Sequence, residues 1–304
     1  MYDVIIVGGG PAGLSAALLL GRCRRKVLLV DEGEPRNRWA LHLHGYLSRD
    51  GINPLNLLHL GREEIKRYGV ECIAATVVAA RQDNRNPRAR FEITLDDGRR
   101  FASRKLLLAT GVRDILPDIE NIETYYGKGV HHCPYCDGWE HRDEHLVAFG
   151  QGHDAVSLAL GLLTWSPHVT ACSNGDKLSS KDRERLERHG IAIRTERVVR
   201  LEGSAGTDDV LERIIFEDGS SLACTAFFFN TGHVQHSPLP VQLGCEVDRK
   251  EKIRTGTRQR TNIPGLFLCG DADSDVQFAI VAAAEGATAA VTLNHELQLE
   301  DLAS

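Results

Sequence analysis

The sequence predicts an α/β chain of two three-layer, doubly wound domains, each with an inserted β-meander. Three observations lead there. A short apolar run, a glycine-rich turn and an apolar-faced helix follow one another twice, near residues 4–22 and near residues 146–163. Each unit is followed by short β-prone runs separated by turn residues. The length, 304 residues, suits about two domains of roughly 150 residues.

The elements follow in order. Residues 4–7 are apolar with a β-branched bias, which predicts a buried strand. Residues 11–22 predict a helix with Leu14, Ala17 and Leu18 on one face, and residues 26–31 the next strand, completing a βαβ unit. Asn53 before Pro54 is an N-cap followed by proline at the first helical position. That helix should run to about Tyr68, where Gly69 ends it. Runs at 72–78 and 91–95 alternate with turns at Asn86-Pro87 and Asp96-Asp97-Gly98, a meander, before a buried strand at 105–109. The second unit has a strand at 146–149, a helix at 154–163, a strand at 169–172 and a polar helix at 180–189 before Gly190. A second meander is expected through Ile193, Val198, 211–216 and 227–229. A late strand at 265–269 and a long helix at 275–297 close the chain. Because one plan occurs twice, residues 1–116 with 238–304 are expected to form one domain and 117–237 the other.

Composition narrows the class. The chain has 36 basic and 42 acidic residues, net −6, which argues against a nucleic-acid partner. No apolar run approaches the roughly 18–20 residues that span a bilayer, so no membrane partner is expected. Met1-Tyr2-Asp3 lacks the basic and apolar regions of a signal peptide, and a cytoplasmic location is expected. Eight cysteines are too sparse for a stapled secreted scaffold. Six are isolated and two form a C-x-x-C, the pattern of an enzyme with one redox pair.

Gly8-Gly9-Gly10-Pro11-Ala12-Gly13 fits G-x-G-x-x-G between a strand and a helix. Gly8 allows the tight turn, Gly10 lets the backbone approach a pyrophosphate, and Gly13 lets helix and strand pack closely. The helix N-terminus offers free N–H groups to the phosphates. Asp31 lies 18 residues beyond Gly13, where a carboxylate accepts from ribose hydroxyls. Thr110-Gly111 follows a strand, and Gly270-Asp271 follows another before a helix. In this order the fragments specify FAD rather than NAD.

Cys133-Pro134-Tyr135-Cys136-Asp137-Gly138 precedes the second strand–turn–helix unit. Two cysteines at this spacing can form a small-loop disulfide of accessible potential. Pro134 favours entry into a helix, whose N-terminus would lower a thiol pKa. Zinc is the alternative. It needs four ligands, and only His131 and His132 stand near the pair.

On these residues the chain resembles the low-molecular-weight thioredoxin reductase family. The matching pieces are GGGPAG (8–13), ATG (109–111), CPYCDG (133–138), GQGHDA (150–155), GLFLCGD (265–271) and QFA (277–279). The C-x-x-C lies in the second domain, as in this family, whereas glutathione-reductase-type enzymes carry it in the first. The resemblance implies two Rossmann-like domains of the FAD/NAD(P)-binding fold and a homodimer. It places FAD against the first Gly-rich turn, Asp31, Thr110, Gly111, Gly270, Asp271, Gln277, Phe278 and Ala279. It implies that one cysteine exchanges with a partner disulfide, that Cys136 faces the flavin, and that Asp137 gives a proton to the leaving thiolate.

The sequence also departs from the family. Gly150–Ala155 keeps G-x-G-x-x-A, but residues 169–176 lack the arginine cluster that grips the 2′-phosphate of NADPH, so NADPH use is doubtful. No acid of the NAD kind ends that strand either. His153 reads as a solvated surface residue. Residues 31–38 and 42–46 resemble a side branch of thioredoxin-reductase-like flavoproteins that includes dithiol oxidases and enzymes without nicotinamide motifs. That resemblance puts His44 near the isoalloxazine. Eight basic residues against four acidic ones between Arg81 and Lys105 suggest docking of an acidic electron donor such as ferredoxin. The expectation is an FAD-dependent thiol–disulfide oxidoreductase acting on thioredoxin or a small disulfide or dithiol, with weak or no NADPH use. The alternatives are an oxygen-dependent dithiol oxidase, a conventional NADPH thioredoxin reductase, and a non-enzymatic nucleotide- or zinc-binding protein.

Overall fold

The structure, a computed structural model, describes residues 1–83, 85–86, 90–204, 210–248, 252–273 and 276–303. The first Gly-rich unit folds as β1 (Tyr2–Val7), α1 (Pro11–Arg22) and β2 (Val27–Asp31). After it come α2 (Pro54–Lys66), β3 (Glu71–Ala74), β4 (Val77–Gln82), β5 (Phe91–Leu95) and β6 (Arg100–Leu108). Asn53 caps α2 as expected: its side chain accepts from the N–H groups of Leu55 and Asn56.

The strand order β3-β2-β1-β6-β5-β4 corrects two expectations. The run at 72–78 is two strands. β3 extends the parallel sheet beside β2, with Leu28 opposite Glu71, and only β4 belongs to the meander. A half-exposed parallel edge strand has no periodicity to distinguish it from a meander strand. β6 serves both layers, because Ser103 faces Phe91 of antiparallel β5 and Tyr2 of parallel β1. The turn Asn86-Pro87 falls partly outside the described residues.

The chain then passes through β7 (Val112–Asp114), α3 (Ile122–Tyr125), β8 (Val130–His131), α4 (Pro134–Asp137) and β9 (Leu146–Phe149). Next are α5 (His153–Leu162), β10 (Val169–Cys172), α6 (Ser180–Arg188) and β11 (Ala192–Arg194). Then come β12 (Val198–Ser204), β13 (Val210–Phe216), β14 (Ser221–Ala223) and β15 (Ala226–Phe229). The second parallel sheet runs β11-β10-β9-β15-β8, and β12-β13-β14 is a separate antiparallel sheet. Ile193 and residues 227–229 therefore belong to the parallel sheet, not to the meander. Phe227, Phe228 and Phe229 are all buried, because both faces of β15 are covered.

β16 (His233–Gln235) pairs antiparallel with β7, Arg113 opposite Val234, where the chain crosses between the two sheets twice. α7 (Leu239–Gln242), β17 (Leu266–Leu268) and α8 (Ala279–Leu302) follow. β17 lies beside β6, so the C-terminal segment returns to the first sheet. The last helix starts later than expected; Asp275 lies outside the described residues.

α8 packs on α1 without room between them. A Cβ on Gly286 would lie 2.0 Å from the Ala12 carbonyl oxygen. Gly286→Ala must push the helices apart, and overpacking of this kind costs about 1–3 kcal/mol. Its denaturant midpoint should fall, whereas Gly161→Ala, with open space around it in α5, should hold or raise it. An unchanged midpoint for Gly286→Ala contradicts this packing.

Candidate active site

The turn after β1 separates two duties of glycine. A Cβ on Gly8 (φ +105°) would lie 2.2 Å from the Ala109 carbonyl oxygen, and one on Gly13 would lie 1.9 Å from the Gly8 carbonyl oxygen. These two glycines close the turn onto β6 and α1. Gly10 differs: no atom lies within 4 Å of its Cβ position, and it faces a cavity of about 320 Å³.

That cavity gathers most of the residues that the sequence singles out. Gly8, Gly10, Pro11, Ala12, Asp31, His44, Thr110 and Gly111 lie on its wall. So do Gly270, Asp271, Gln277, Phe278 and Ala279 from the C-terminal segment, and Cys136 and Asp137 from the second sheet's side. Gly13 and Cys133 are not on the wall. Asp31 accepts from the Gly9 N–H (2.9 Å) and from Arg62 (2.6 Å), so α2 contributes a cation that the sequence did not announce. His44 stands between Asp50 (3.5 Å) and Glu140 (3.4 Å).

The residues present fit FAD. The buried Thr110 hydroxyl has no hydrogen-bond partner and lies on the cavity wall. The N-cap of α1 is Gly10, whose lack of a side chain leaves the first-turn N–H groups uncapped beside open space. Those groups would hold the pyrophosphate, and Asp31 the ribose.

Opposite this turn is a buried polar network. Arg36 donates to both carboxylate oxygens of Asp114 (2.5 and 2.9 Å), to Asp271 (2.9 Å) and to Gln277 (2.6 Å). The Tyr126 hydroxyl donates to Asp114 (2.6 Å) and lies 3.3 Å from His132 Nδ1. Burial pushes the Asp114 carboxyl up, but Arg36, His132 and Tyr126 outweigh it and hold it at about 2. Burial pushes the His132 imidazole down. Arg36, Asp114 and Tyr126 were not singled out by the sequence, and His132 only as a possible zinc ligand beside the C-x-x-C. Asp114 and Arg36 are 78 residues apart, and no local spacing pairs them.

Cys133 and Cys136 are joined as a disulfide. Cys133 caps α4, and its carbonyl accepts from the N–H groups of Cys136 (3.1 Å) and Asp137 (3.3 Å). α4 is a single turn, so the sequence-based expectation of a helix dipole acting on the thiol has no helix of useful length behind it. Gly138 is required here: its Cβ would lie 2.5 Å from the Pro134 carbonyl oxygen and 2.7 Å from the Trp165 ring. Among the described residues, no group of three or more His, Cys, Asp or Glu is arranged to hold a metal ion. Asp137 lies 3.4 Å from His131 Nδ1. Burial pushes its carboxyl up, and the charges of His131, His132 and His141 bring it below the ordinary value.

At the surface one expectation holds and one changes. His153 is exposed, but it is also paired, 3.3 Å from Asp182. The basic surplus at 81–105 is largely compensated. Arg104 bridges to Asp3, Glu300 and Asp301, and Lys105 to Glu296 and Glu300. Arg81 and Arg100 meet Glu92, Arg85 meets Asp83, and Arg99 meets Asp97. Acids distant in sequence neutralise the stretch, which a local charge count misses; Arg88 lies outside the described residues.

A cavity that joins a Gly-rich turn to one cysteine of a disulfide is the arrangement of a flavin- and disulfide-linked oxidoreductase. The comparisons agree. Residues 2–286 match the model of the pyridine nucleotide-disulphide oxidoreductase family, and the chain belongs to that family. A fungal relative named "Probable thioredoxin reductase", from Arthroderma benhamiae, is 34% identical over 98% of this chain and 81% of its own length. Thioredoxin reductase of Aquifex aeolicus is 26% identical over 97% of this chain and 93% of its own. The crystal structure of HlmI superposes with a TM-score of 0.94 at 36% identity, covering 99% of this chain and 94% of that one. The chain is therefore an FAD-dependent disulfide oxidoreductase of thioredoxin-reductase type.

Gly10→Val fills open space rather than protein, so the variant should fold and purify with little or no flavin. Absorbance at flavin wavelengths per chain, together with an unfolding curve, measures both. A folded variant with full flavin content contradicts the placement of the pyrophosphate.

Proposed function

We propose that this protein moves electron pairs between FAD and the Cys133–Cys136 disulfide, and on to a thioredoxin-like protein or a small disulfide, with weak or no use of NADPH. One observation carries the reading: Cys136 stands on the wall of the cavity that the first Gly-rich turn, Thr110 and Asp271 also line. FAD, when bound, supplies two-electron chemistry next to that sulfur. Reduction of the pair breaks the S–S bond, and two protons complete two thiols. Cys133, off the cavity wall, is the sulfur left for the partner. Tyr135, between the two cysteines, and Trp139 are 77% and 65% exposed and offer the partner an apolar contact beside the pair.

The weak NADPH use rests on the second Gly-rich turn. A Cβ on Gly152 would lie 3.8 Å from an Asp176 carboxylate oxygen. Asp176 follows β10 by four residues, so an acid that the sequence did not assign stands beside that turn, where it disfavours an added phosphate. Arg197 reaches Gly175 with its aliphatic stem, 3.3 Å from that residue's Cβ position. Losing two charge-assisted bonds of about 1.5–3 kcal/mol each weakens binding about a hundredfold or more.

Anaerobic stopped-flow tests the reading with NADPH, reduced ferredoxin and a dithiol offered in turn. NADPH should reduce the flavin slowly, without saturation at micromolar concentration. Reduction by any competent donor should raise the thiol count by about two per chain, one two-electron couple. Saturation at micromolar NADPH overturns the donor assignment, and a constant thiol count overturns the redox role of the pair.

A further inference from the structure

A second chain of titratable groups starts at Asp137 on the cavity wall, next to the disulfide in sequence. His131 Nδ1 is 3.4 Å from Asp137 Oδ1. His131 Nε2 is 3.1 Å from His141 Nε2. His141 Nδ1 is 2.9 Å from Glu144 Oε2. The inner end is buried: the His131 side chain is 4% exposed and packs on the Phe228 ring at 5.3 Å. The outer end, Glu144, is 41% exposed.

We propose that His131 and His141 form a one-proton store that supplies Asp137 during thiol–disulfide exchange at Cys133–Cys136. The inference rests on the redox reading of that pair.

Counting hydrogens leads to it. The His131–His141 and His141–Glu144 hydrogen bonds need one hydrogen each, and the Asp137–His131 contact, an ion pair at 3.4 Å, draws a third onto His131 Nδ1. Carboxylates only accept, so with both ionised all three hydrogens sit on ring nitrogens. Two neutral imidazoles carry two. The third makes the pair an imidazole and an imidazolium sharing one excess proton between two negative charges. Both carboxyls are held ionised. Burial pushes Asp137 up, but its histidine neighbours win. Burial likewise pushes Glu144 up, and bonds to Thr225 and His141 bring it down. Burial and the His131 charge push the His141 imidazole below its ordinary value, against Glu144 and Asp137. The other charged neighbours are His132, beside Asp137, and Arg142, beside Glu144.

An ionised Asp137 has no proton of its own to give. The thiolate of reduced Cys133 attacks the partner disulfide, forming one S–S bond and breaking another. The electron pair leaves on the second partner sulfur, which takes a proton from Asp137. That proton comes from His131 Nδ1, and His131 Nε2 takes one from His141. Both rings end neutral, and solvent restores the excess proton and the ring tautomers through the Glu144 end.

The test compares two leaving groups. Reduced, flavin-loaded protein is mixed in single turnover with a dialkyl disulfide, whose thiolate needs a proton to leave well. It is mixed in parallel with an aromatic nitrobenzoate disulfide, whose low-pKa thiolate leaves without one. In His141→Ala the ratio of alkyl to aromatic rates should fall about tenfold or more, within the range of general-acid effects. Added imidazole should restore it. Glu144→Gln, at an exposed position, should lower the same ratio. In an Asp137→Asn background, His141→Ala should change the ratio no further, because the two act in series. An unchanged ratio, or equal loss of both rates, overturns the store. If the unmodified protein reacts with neither disulfide, the redox reading of the pair fails instead.

Discussion

The cavity depends on one buried cation. Arg36 meets Asp114 on the crossing strand β7, and Asp271 and Gln277 from the segment that returns after β17. Its side chain is 15% exposed and that of Asp114 is 6%, so neither charge is stable without the other. Breaking a buried pair by removing one partner costs about 3–5 kcal/mol, far above the value of a surface bridge. Three chain segments distant in sequence thus meet at one guanidinium. Tyr126 and His132 extend the contact to the residue before Cys133.

Around that junction the two halves of the site differ in physical character. The turn at residues 8–13 is built by close backbone approach: Gly8 and Gly13 admit no side chain, and Gly10 leaves space for a ligand. The disulfide side is built by titratable groups. Asp137 faces the cavity while also touching His131, whose other nitrogen meets His141. In the proposed reaction electron pairs reach the pair through Cys136 on the cavity wall, and protons through Asp137, which shares that wall and touches His131 behind it.

Much of this was legible in the sequence because it is local. The strand–turn–helix units, the Asn53 cap, the Gly-rich turn and the C-x-x-C depend on residues within one or two turns of each other. β3, β11 and β15 were misassigned because their place is set by parallel partners far along the chain. The Arg36 network and the compensation of Arg104 and Lys105 by Asp3, Glu296, Glu300 and Asp301 were invisible for the same reason. His131 and His141 drew no notice as a pair. They are ten residues apart and meet only because β8 and the loop after α4 face the same Phe228 ring.

The central claim is that the disulfide and the flavin form one electron-exchanging unit. An anaerobic dithionite titration of the FAD-loaded protein tests it most directly. Full bleaching of the flavin should require four electrons per chain, two for the flavin and two for the disulfide, and only two in Cys136→Ser. A requirement of two electrons in the unmodified protein, identical to that of the variant, would contradict the account.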